Sequence, residues 1–342
     1  MKTGRGYRQY VAPSSLLSAL IDLRMKDVLE ESLPITESPE LHVVTGAFGY
    51  TGRYITLRLL SMKKRVRTLT GHPNRENPFG EQVSAFPFNF DNAAVLANSL
   101  RGATTLYNTY WVRFQHGNVT YDKAVENTKT LIRAAEEADV RRFVHISITN
   151  PSQDSPLPYF RGKALVEEAI LRSKLSYAII RPTLIFGSFG VEGVLINNIA
   201  WLLRKFPLFT IAGRGDYKVQ PVYVEDVAEL AVSLAQQDRN IVIDAVGPEI
   251  YTFDQFVHTI AAKVHSKAKI IHVDRWVVLA IAKILGQLLR DIVLTSDEIK
   301  GLMAGLLISS MRPNGKMRFS EWLELNADTV GTRYSSELSQ HY

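Results

Sequence analysis

Short apolar runs alternate with stretches of helical periodicity along most of the chain. The runs are typical of buried parallel strands, and the stretches between them repeat apolar positions every three or four residues, as helices with one buried face do. The pattern predicts strands at 42–45, 66–70, 85–90, 104–108, 143–147, 177–181 and 241–246, and helices at 51–62, 93–100, 122–137, 163–172 and 224–236. This order predicts an α/β fold with a doubly wound parallel sheet covered by helices on both faces.

Three glycines spaced three residues apart, Gly46, Gly49 and Gly52, follow the first strand and lead into the first helix. Gly46 allows a tight turn, Gly49 lets a phosphate approach the backbone, and Gly52 allows the helix to pack closely on the strand. The helix amide groups then face an anion. We therefore predict a dinucleotide pyrophosphate site formed by these glycines together with Phe48, Tyr50 and Thr51.

The alternation of strands and helices ends near the Gly-Pro pair at 247–248, after which helices and short loops follow. We therefore predict a nucleotide-binding domain formed by 40–187 and 217–247, and a smaller, mostly helical substrate lobe formed by 188–216 and 248–342. Residues 1–39 are an N-terminal extension that makes a poor secretory signal. A short amphipathic helix packed on the main domain is the favoured interpretation of this extension, with a transit peptide as the alternative.

The composition of the chain excludes several classes of chemistry. It has 342 residues, is 46% hydrophobic and contains no cysteine, which excludes disulfides, thiolate metal sites and cysteine nucleophiles, and makes a cytoplasmic location the default expectation. The net charge is +6, but the basic residues are scattered among acidic ones and form no large patch, so we expect no nucleic-acid partner. The histidines are dispersed, and we predict no metal site.

The most apolar segment, 276–294, contains Lys283, Arg290 and Asp291 and is too polar to cross a bilayer. On a helix its apolar side chains share one face, which could cover the substrate site, contact a protein partner or lie on a membrane surface. Packing in the core is the plainer interpretation and the one that we favour. This face comprises Val277, Ile281, Ile284, Leu285, Leu288 and Ile292.

A second chemical signal is the pair Tyr159 and Lys163, which a helix places one turn apart on the same face. Transfer of a hydride to or from an alcohol needs a proton carrier beside it. A lysine ammonium lowers the pKa of a neighbouring phenol toward the working pH, and it can also hold ribose hydroxyls. The pair follows the strand 143–147, near whose end Ser147 and Thr149 offer hydroxyls that can orient a substrate carbonyl.

These motifs resemble those of the extended and atypical short-chain dehydrogenases/reductases, a family that includes nucleotide-sugar epimerases and hydroxysteroid dehydrogenases. The resemblance covers residues 41–248. It implies a Rossmann-type fold, with Tyr159 as the general acid/base and Lys163 as its electrostatic partner and ribose ligand. It also implies that Thr149, favoured over Ser147, polarises the substrate carbonyl.

Two further segments are similar to the same family. Residues 181–187 resemble the loop that seats the nicotinamide, which implies a contact with Pro182, and 213–228 resemble a late segment of extended members. Where extended members carry a small His-x-Ala-type element, this chain has the bulky run 107–111, which argues against sugar-nucleotide epimerisation. Within the family, the run 220–224 is similar to the nucleotide-binding accessory subunit of respiratory complex I and its bacterial relatives, which is understood as a structural component.

The residues at the end of the second strand are expected to decide between NAD and NADP. An acidic residue there would accept hydrogen bonds from the adenosine ribose and repel a 2′-phosphate. The dipeptide there is Thr-Gly, residues 70–71, and His72, Arg75 and Arg53 are nearby. We therefore prefer NADP over NAD. The counterargument is that Gly71 replaces the arginine that NADP-binding relatives usually place directly after this strand.

The family resemblance also implies that the adenine lies near Asn89 and Phe90. We predict an NAD(P)-dependent oxidoreductase acting on the carbonyl or alcohol group of a small-molecule substrate. The alternative is a non-catalytic nucleotide-binding protein with a structural or redox-sensing role. Retention of Tyr159 and Lys163 favours the enzyme, and the bulky segment 107–111 favours the alternative.

Overall fold

The computed structural model describes residues 40–187, 194–336 and Leu338. In chain order the strands are β1 (Leu41–Thr45), β2 (Arg65–Thr70), β3 (Val83–Pro87), β4 (Ala103–Asn108), β5 (Arg142–Ile146), β6 (Ser176–Pro182), β7 (Leu184–Phe186), β8 (Leu208–Ala212), β9 (Lys218–Val219), β10 (Pro221–Tyr223), β11 (Ile241–Ala245), β12 (Tyr251–Thr252) and β13 (Lys269–Val273). The helices are α1 (Tyr50–Ser61), α2 (Ala93–Leu100), α3 (Tyr121–Glu137), α4 (Pro158–Leu171), α5 (Val194–Lys205), α6 (Val224–Ala235), α7 (Phe253–Lys263), α8 (Arg275–Leu289), α9 (Ser296–Met303) and α10 (Phe319–Asn326).

A seven-stranded parallel sheet forms the centre of the fold, in the order β11-β6-β5-β4-β1-β2-β3. The chain runs outward from β1 through β2 to β3 and then returns to β4 on the other side of β1. In such sheets a crevice opens at the carboxyl ends of the two strands where the order reverses. The predicted doubly wound α/β fold is confirmed, and its crevice lies beside β1 and β4.

Both faces of the sheet are covered, and in the inner strand β5 all five residues are buried. Val43 and Val44 are adjacent in β1, and their side chains enter different apolar clusters because successive strand residues point to opposite faces. Val44 packs with Ile55 of α1 and with α6, whereas Val43 packs with Leu96 of α2 and with α3 and α4. The helices therefore cover the sheet on both sides.

Most predicted boundaries differ from the observed ones by one or two residues. Two differ by more, and both lie at a proline. The third strand ends at Pro87 rather than at Phe90, since proline has no backbone N–H to continue the pairing and Asn89 adopts a positive φ of 48°. Helix α4 begins at Pro158 rather than at Lys163, since the fixed φ of proline suits the first turn of a helix. Tyr159 and Lys163 therefore lie on the same helix.

The C-terminal region has its own apolar cluster, in which Phe186, Phe256, Phe319 and Trp322 pack together. Small two-stranded sheets join the segments around it: β7 with β10, β8 with β13, and β9 with β12. This region is largely helical, as predicted. The described residues from 40 onward form one compact unit, and the interpretation of 1–39 as a packed helix concerns residues outside the described part of the chain.

The last described segment of the chain is bound along α5 by two buried asparagines. Asn197 donates to the Arg333 carbonyl (2.9 Å) and accepts from the Gly331 N–H (2.8 Å). Asn198 makes the same pair of hydrogen bonds with the backbone of Ser335 (2.9 and 3.0 Å). These four bonds join positions more than 130 residues apart in the sequence.

Helix α8 is oriented differently from our expectation. The side of α8 that is packed against the protein carries Val278, Ala282 and Gly286, whereas the apolar face that we expected in the core is largely exposed. The helix also ends at Leu289, so Ile292 lies beyond it. In the described ranges, no helix combines the length and apolar character needed to cross a membrane.

Candidate functional site

A cleft of about 1550 Å³ opens at the carboxyl ends of β1 and β4. The glycine turn and α1 form its floor, the loops after β2, β3 and β4 form one side, and α4 and α9 form the far end. Most of the predicted cofactor-binding residues line this single cleft. Of these residues, Gly46, Phe48, Gly49, Tyr50, Thr51, Gly52, Arg75, Asn89, Phe90 and Pro182 line the cleft.

The glycine turn has the backbone geometry that its spacing predicts. Gly46 has a φ of +67°, which favours glycine. The N–H of Gly49 closes the turn on the Gly46 carbonyl at 2.9 Å. A Cβ on Gly52 would lie 2.2 Å from that same carbonyl oxygen, so α1 can approach the turn only because this residue is glycine.

The N-terminus of α1 has the features of an anion site. Gly49 is its N-cap, no side chain caps it, and its first turn contains no acidic residue. The first backbone N–H groups of a helix lack partners within the helix, and its dipole favours negative charge there. A pyrophosphate group fits this cradle.

The buried hydroxyl of Thr45 fixes the loop that follows β4. Its Oγ1 accepts hydrogen bonds from the backbone N–H groups of Thr109 (2.8 Å) and Tyr110 (3.0 Å) and lies 3.1 Å from Asn108 Oδ1. The loop is thereby held beside the glycine turn. It brings Tyr110 and Trp111 into the lining of the cleft.

Aromatic rings line the end of the cleft where the adenine is expected. The rings of Phe88 and Phe90 stack with centroids 4.8 Å apart, and Tyr110 packs against both at 5.0 and 5.1 Å. The Tyr110 hydroxyl accepts a hydrogen bond from Asn127 Nδ2 at 2.9 Å. Flat apolar rings suit a purine base, and of these rings only Phe90 was predicted from the sequence to lie near the adenine.

The same end of the cleft carries the groups that are expected to determine the preference for NADP or NAD. Gly71 follows β2, and a Cβ there would have no atom within 4 Å, so the position is open. Arg53, His72 and Arg75 line the cleft around it, together with the acidic Glu76. This arrangement leaves room for a 2′-phosphate.

Trp111 covers Lys163 at the opposite end of the cleft. The Lys163 Nζ lies 4.6 Å from the centre of the Trp111 ring and donates to the Ile146 carbonyl at 2.9 Å. The side of α4 admits the indole because residue 162 is glycine: a Cβ there would lie 2.9 Å from Trp111 Cη2. Lys163 is only 3% exposed and is absent from the cleft lining, whereas Tyr159 contributes to that lining.

Burial also changes the ionisation of Lys163. Desolvation lowers the pKa of its ammonium from 10.5 to about 7, although the Glu167 carboxylate opposes this shift. The pKa of the fully buried His145 is lowered as well, by desolvation and by the charge of Lys163. His145 Nδ1 is paired with Asn108 Nδ2 at 3.1 Å.

Thr149 does not reach the cleft, so the structure corrects its predicted position. Thr149 is 0% exposed, and its hydroxyl lies 3.3 Å from Asp244 Oδ2, a contact that turns it toward β11. Ser147 lines the cleft instead. The Ser147 hydroxyl donates to Glu167, which also accepts from Arg181 Nε at 3.0 Å.

The far end of the cleft contains residues that were not predicted from the sequence. Arg113 Nε donates to Glu298 Oε1 at 2.7 Å and thereby joins the loop after β4 to α9. Gly301 of α9 packs on Phe160 of α4. The Thr-x-x-Glu capping box at 295–298 was a readable sign of a helix start, but nothing local predicts a partner 185 residues away.

We expect the lowered pKa of Lys163 to appear in the pH dependence of stability. The unfolded chain keeps the usual lysine pKa of about 10.4, so it binds more protons than the folded state between about pH 7 and pH 10, and the stability contributed by this group rises with pH. Lys163→Met removes the cost of burying the charge. The free energy of unfolding of this variant should therefore exceed that of the parent by the largest amount at about pH 6. This difference in stability should shrink toward about pH 9.

Urea unfolding of both proteins at the two pH values measures this effect, and Lys283→Met, at an exposed lysine of α8, is the matched control. A difference between parent and Lys163→Met that does not change with pH would contradict the burial of an ionisable ammonium.

Comparison with known proteins agrees with the geometry of the cleft. A sequence profile of the NAD dependent epimerase/dehydratase family matches residues 42–251, which is more than half of the chain. The chain is 27% identical over 224 residues to NADH dehydrogenase (ubiquinone) 1 alpha subcomplex subunit 9, mitochondrial, of Arabidopsis thaliana, a match that covers 61% of this chain and 54% of the relative. The chain thus spans about half the length of that relative.

Two further similarities extend the comparison. The chain is 24% identical over 272 residues to the mitochondrial NADH-ubiquinone oxidoreductase 40 kDa subunit of Neurospora crassa, covering 75% of this chain and 69% of the relative. The crystal structure of UDP-N-acetylglucosamine 4-epimerase from Bacillus cereus superimposes with a TM-score of 0.61 at 15% identity, covering 84% of this chain and 94% of that one; this similarity concerns the fold. The chain belongs to the NAD dependent epimerase/dehydratase family, within the extended short-chain dehydrogenases/reductases.

Proposed function

We propose that the cleft binds NADP(H) and that the protein holds this nucleotide without turning it over while Trp111 covers Lys163. The observation that carries the proposal is the position of the Lys163 ammonium, behind the Trp111 ring and bonded to the Ile146 carbonyl. The nucleotide end of the cleft, in contrast, keeps its glycine turn and an uncapped helix N-terminus.

A lysine assists hydride transfer through its charge and through its reach. The charge must lie near the phenol to lower the phenol pKa, and the ammonium must enter the cleft to hold ribose hydroxyls. The Lys163 ammonium is directed to the Ile146 carbonyl, and burial lowers its pKa to about 7. Near neutral pH, a larger fraction of these lysines would therefore be uncharged than of lysines in water. Both contributions are therefore weakened in this arrangement.

The remaining lining residues suit the parts of a dinucleotide. The N-terminus of α1 would hold the pyrophosphate, the ring cluster of Phe88, Phe90 and Tyr110 would hold the adenine, and Arg53 and Arg75 would attract a 2′-phosphate. The nicotinamide, which supplies hydride chemistry when bound, belongs at the end lined by Tyr159 and Pro182. The two relatives, one named as a subunit of NADH dehydrogenase and the other as a subunit of NADH-ubiquinone oxidoreductase, support a protein that keeps a nucleotide inside a larger assembly.

An NADP(H)-dependent oxidoreductase acting on a carbonyl or alcohol is the second candidate. It is favoured by Tyr159, which stands in the cleft lining one helical turn before Lys163. In this reading Trp111 leaves Lys163 when substrate and nucleotide enter, and Tyr159 gives or takes the proton. The two candidates share the nucleotide site and differ in whether any substrate is turned over.

We expect Gly49→Val to weaken nucleotide binding strongly. The valine side chain would stand at the N-cap of α1, where the backbone must approach the pyrophosphate. Calorimetry with NADPH should show a loss of affinity of about tenfold or more, equivalent to about 1.4 kcal/mol. Thermal unfolding without nucleotide serves as the folding control. If the variant is well folded and binds NADPH like the parent, the pyrophosphate does not lie on this turn.

NADPH should bind more tightly than NADH. The difference should shrink as salt is added, because screening weakens the attraction between the 2′-phosphate and Arg53, His72 and Arg75. Titrations of both nucleotides at low and high ionic strength measure it. Arg75→Gln should lower the affinity for NADPH while leaving that for NADH unchanged. Equal affinities of the parent protein at low salt would remove the basis for the NADP assignment.

The parent protein should bind NADPH and yet show no change in nicotinamide absorbance with a broad panel of carbonyl and alcohol compounds. Tyr159→Phe should then keep the thermal stabilisation that NADPH provides. If the parent turns over a substrate, and Tyr159→Phe lowers that rate by about a hundredfold or more, as expected for a lost general acid/base, the protein is the oxidoreductase.

Trp111→Ala and Trp111→Leu test the role of the indole directly. Removing the ring should expose Lys163 to the cleft and restore its contact with the nucleotide ribose. We therefore expect these variants to bind NADPH at least as tightly as the parent. Trp201→Ala, at a tryptophan that packs against Phe206 and Tyr334 and does not line the cleft, is the matched control. A loss of NADPH binding confined to the Trp111 variants would contradict the covering role.

A further inference from the structure

Helix α8 presents a row of large apolar side chains to the outside of the described structure. Val277, Ile281, Ile284 and Leu288 are spaced four, three and four residues apart, which places them on one face of a helix. From the first to the last of them the row is about 17 Å long. The exposed fractions of the row and the adjacent tryptophan are 60% for Trp276, 46% for Val277, 36% for Ile281, 59% for Ile284 and 75% for Leu288.

The opposite side of α8 is already used for packing. Val278 of this side lies in a cluster with Ala212 of β8 and Ile299 of α9. The exposed row is therefore a second apolar face, which the fold of the described residues does not require. A helix of a water-soluble protein normally carries polar residues on such an outward face.

The charges along α8 have one sign. Arg275, Lys283 and Arg290 are exposed, and the sequence 275–290 contains no acidic residue. The two acidic residues at its ends are engaged within the protein. Asp274 caps the helix by accepting from the Trp276 N–H at 2.9 Å, and Asp291 accepts from the Tyr334 hydroxyl at 2.7 Å.

We propose that this face of α8, Trp276 to Leu288 with its flanking cations, docks the protein on a membrane surface that contains anionic lipids. The helix lies in the plane of the interface, its apolar row enters the boundary between headgroups and acyl chains, and its three cations attract lipid phosphates. Trp276 stands at one end of the row, and tryptophan favours this boundary because its ring is apolar and its N–H is polar.

A second copy of the chain is a poorer occupant of this face. A second copy would bring the same cations, Arg275, Lys283 and Arg290, to this helix, and 275–290 contains no carboxylate that could pair with them. Pairing two such helices therefore adds repulsion between like charges and no ion pair. The face of a single helix is also small beside the roughly 20–30 residues a side of a stable interface. An anionic lipid surface offers an apolar interior to the exposed row and negative charge to the cations of α8.

The full chain is tested by co-sedimentation with two kinds of vesicle, phosphatidylcholine alone and phosphatidylcholine mixed with phosphatidylglycerol. We expect binding to the mixed vesicles, with weaker binding at high salt. The double variant Ile284→Asp/Leu288→Asp should lose about tenfold or more in partition, since each buried apolar side chain contributes strongly. Lys283→Glu should lose part of the binding. Leu325→Asp, at a leucine of α10 that is 79% exposed, is the matched control and should bind like the parent.

Three outcomes would overturn the proposal. The first is binding that the double variant retains, and the second is equal binding to neutral and anionic vesicles. The third is no vesicle binding by the parent, including the case of a dimer in gel filtration that the double variant dissociates, which would assign the face to a second copy. Thermal unfolding of each variant, and its NADPH affinity, show that folding and the cleft are intact, so a failure here is distinguishable from a failure of the nucleotide site.

Discussion

The hydroxyl of Thr45 links the strand that carries the glycine turn to the loop that forms the opposite wall of the cleft. It is a fully buried group that binds the backbone N–H groups of Thr109 and Tyr110. Because these donors belong to consecutive residues, the loop cannot move away from β1 without leaving buried polar groups unpaired, which is costly. The positions of Tyr110 at the adenine end and of Trp111 at the opposite end both follow from this anchor.

At the opposite end of the cleft, Trp111 excludes water from Lys163 and thereby contributes to the lowered pKa of its ammonium. An ammonium that loses water must find other partners, and Lys163 finds a carbonyl oxygen and the face of an indole ring. These partners do not fully replace water, and the pKa of Lys163 falls to about 7. The cleft therefore combines a nucleotide end that is open with a lysine that is withdrawn.

The parts of this structure that depend on neighbouring residues were predictable from the sequence. Glycines at 46, 49 and 52 and the apolar run before them specify a strand, a turn and a helix locally, and the doubly wound fold follows from repeating that unit. The predicted position of the Thr149 hydroxyl was wrong because its partner, Asp244, lies 95 residues away in the sequence. The cover over Lys163 depends on Gly162 leaving room for Trp111, and the orientation of α8 depends on β8 and α9. No periodicity along a single segment encodes such contacts.

The two asparagines of α5 have a consequence for how the chain is made. Their buried amide groups hydrogen-bond to the backbone of residues 331–335. During synthesis these partners are made more than 130 residues after the asparagines, so the hydrogen bonds of the C-terminal lobe cannot form until the chain has been extended well beyond α5. Contacts of such long sequence separation also slow folding, because a large loop must close before they form. The strands of the parallel sheet all lie before residue 246, so the sheet can assemble from earlier parts of the chain, whereas this lobe must wait until residues 331–335 have been made.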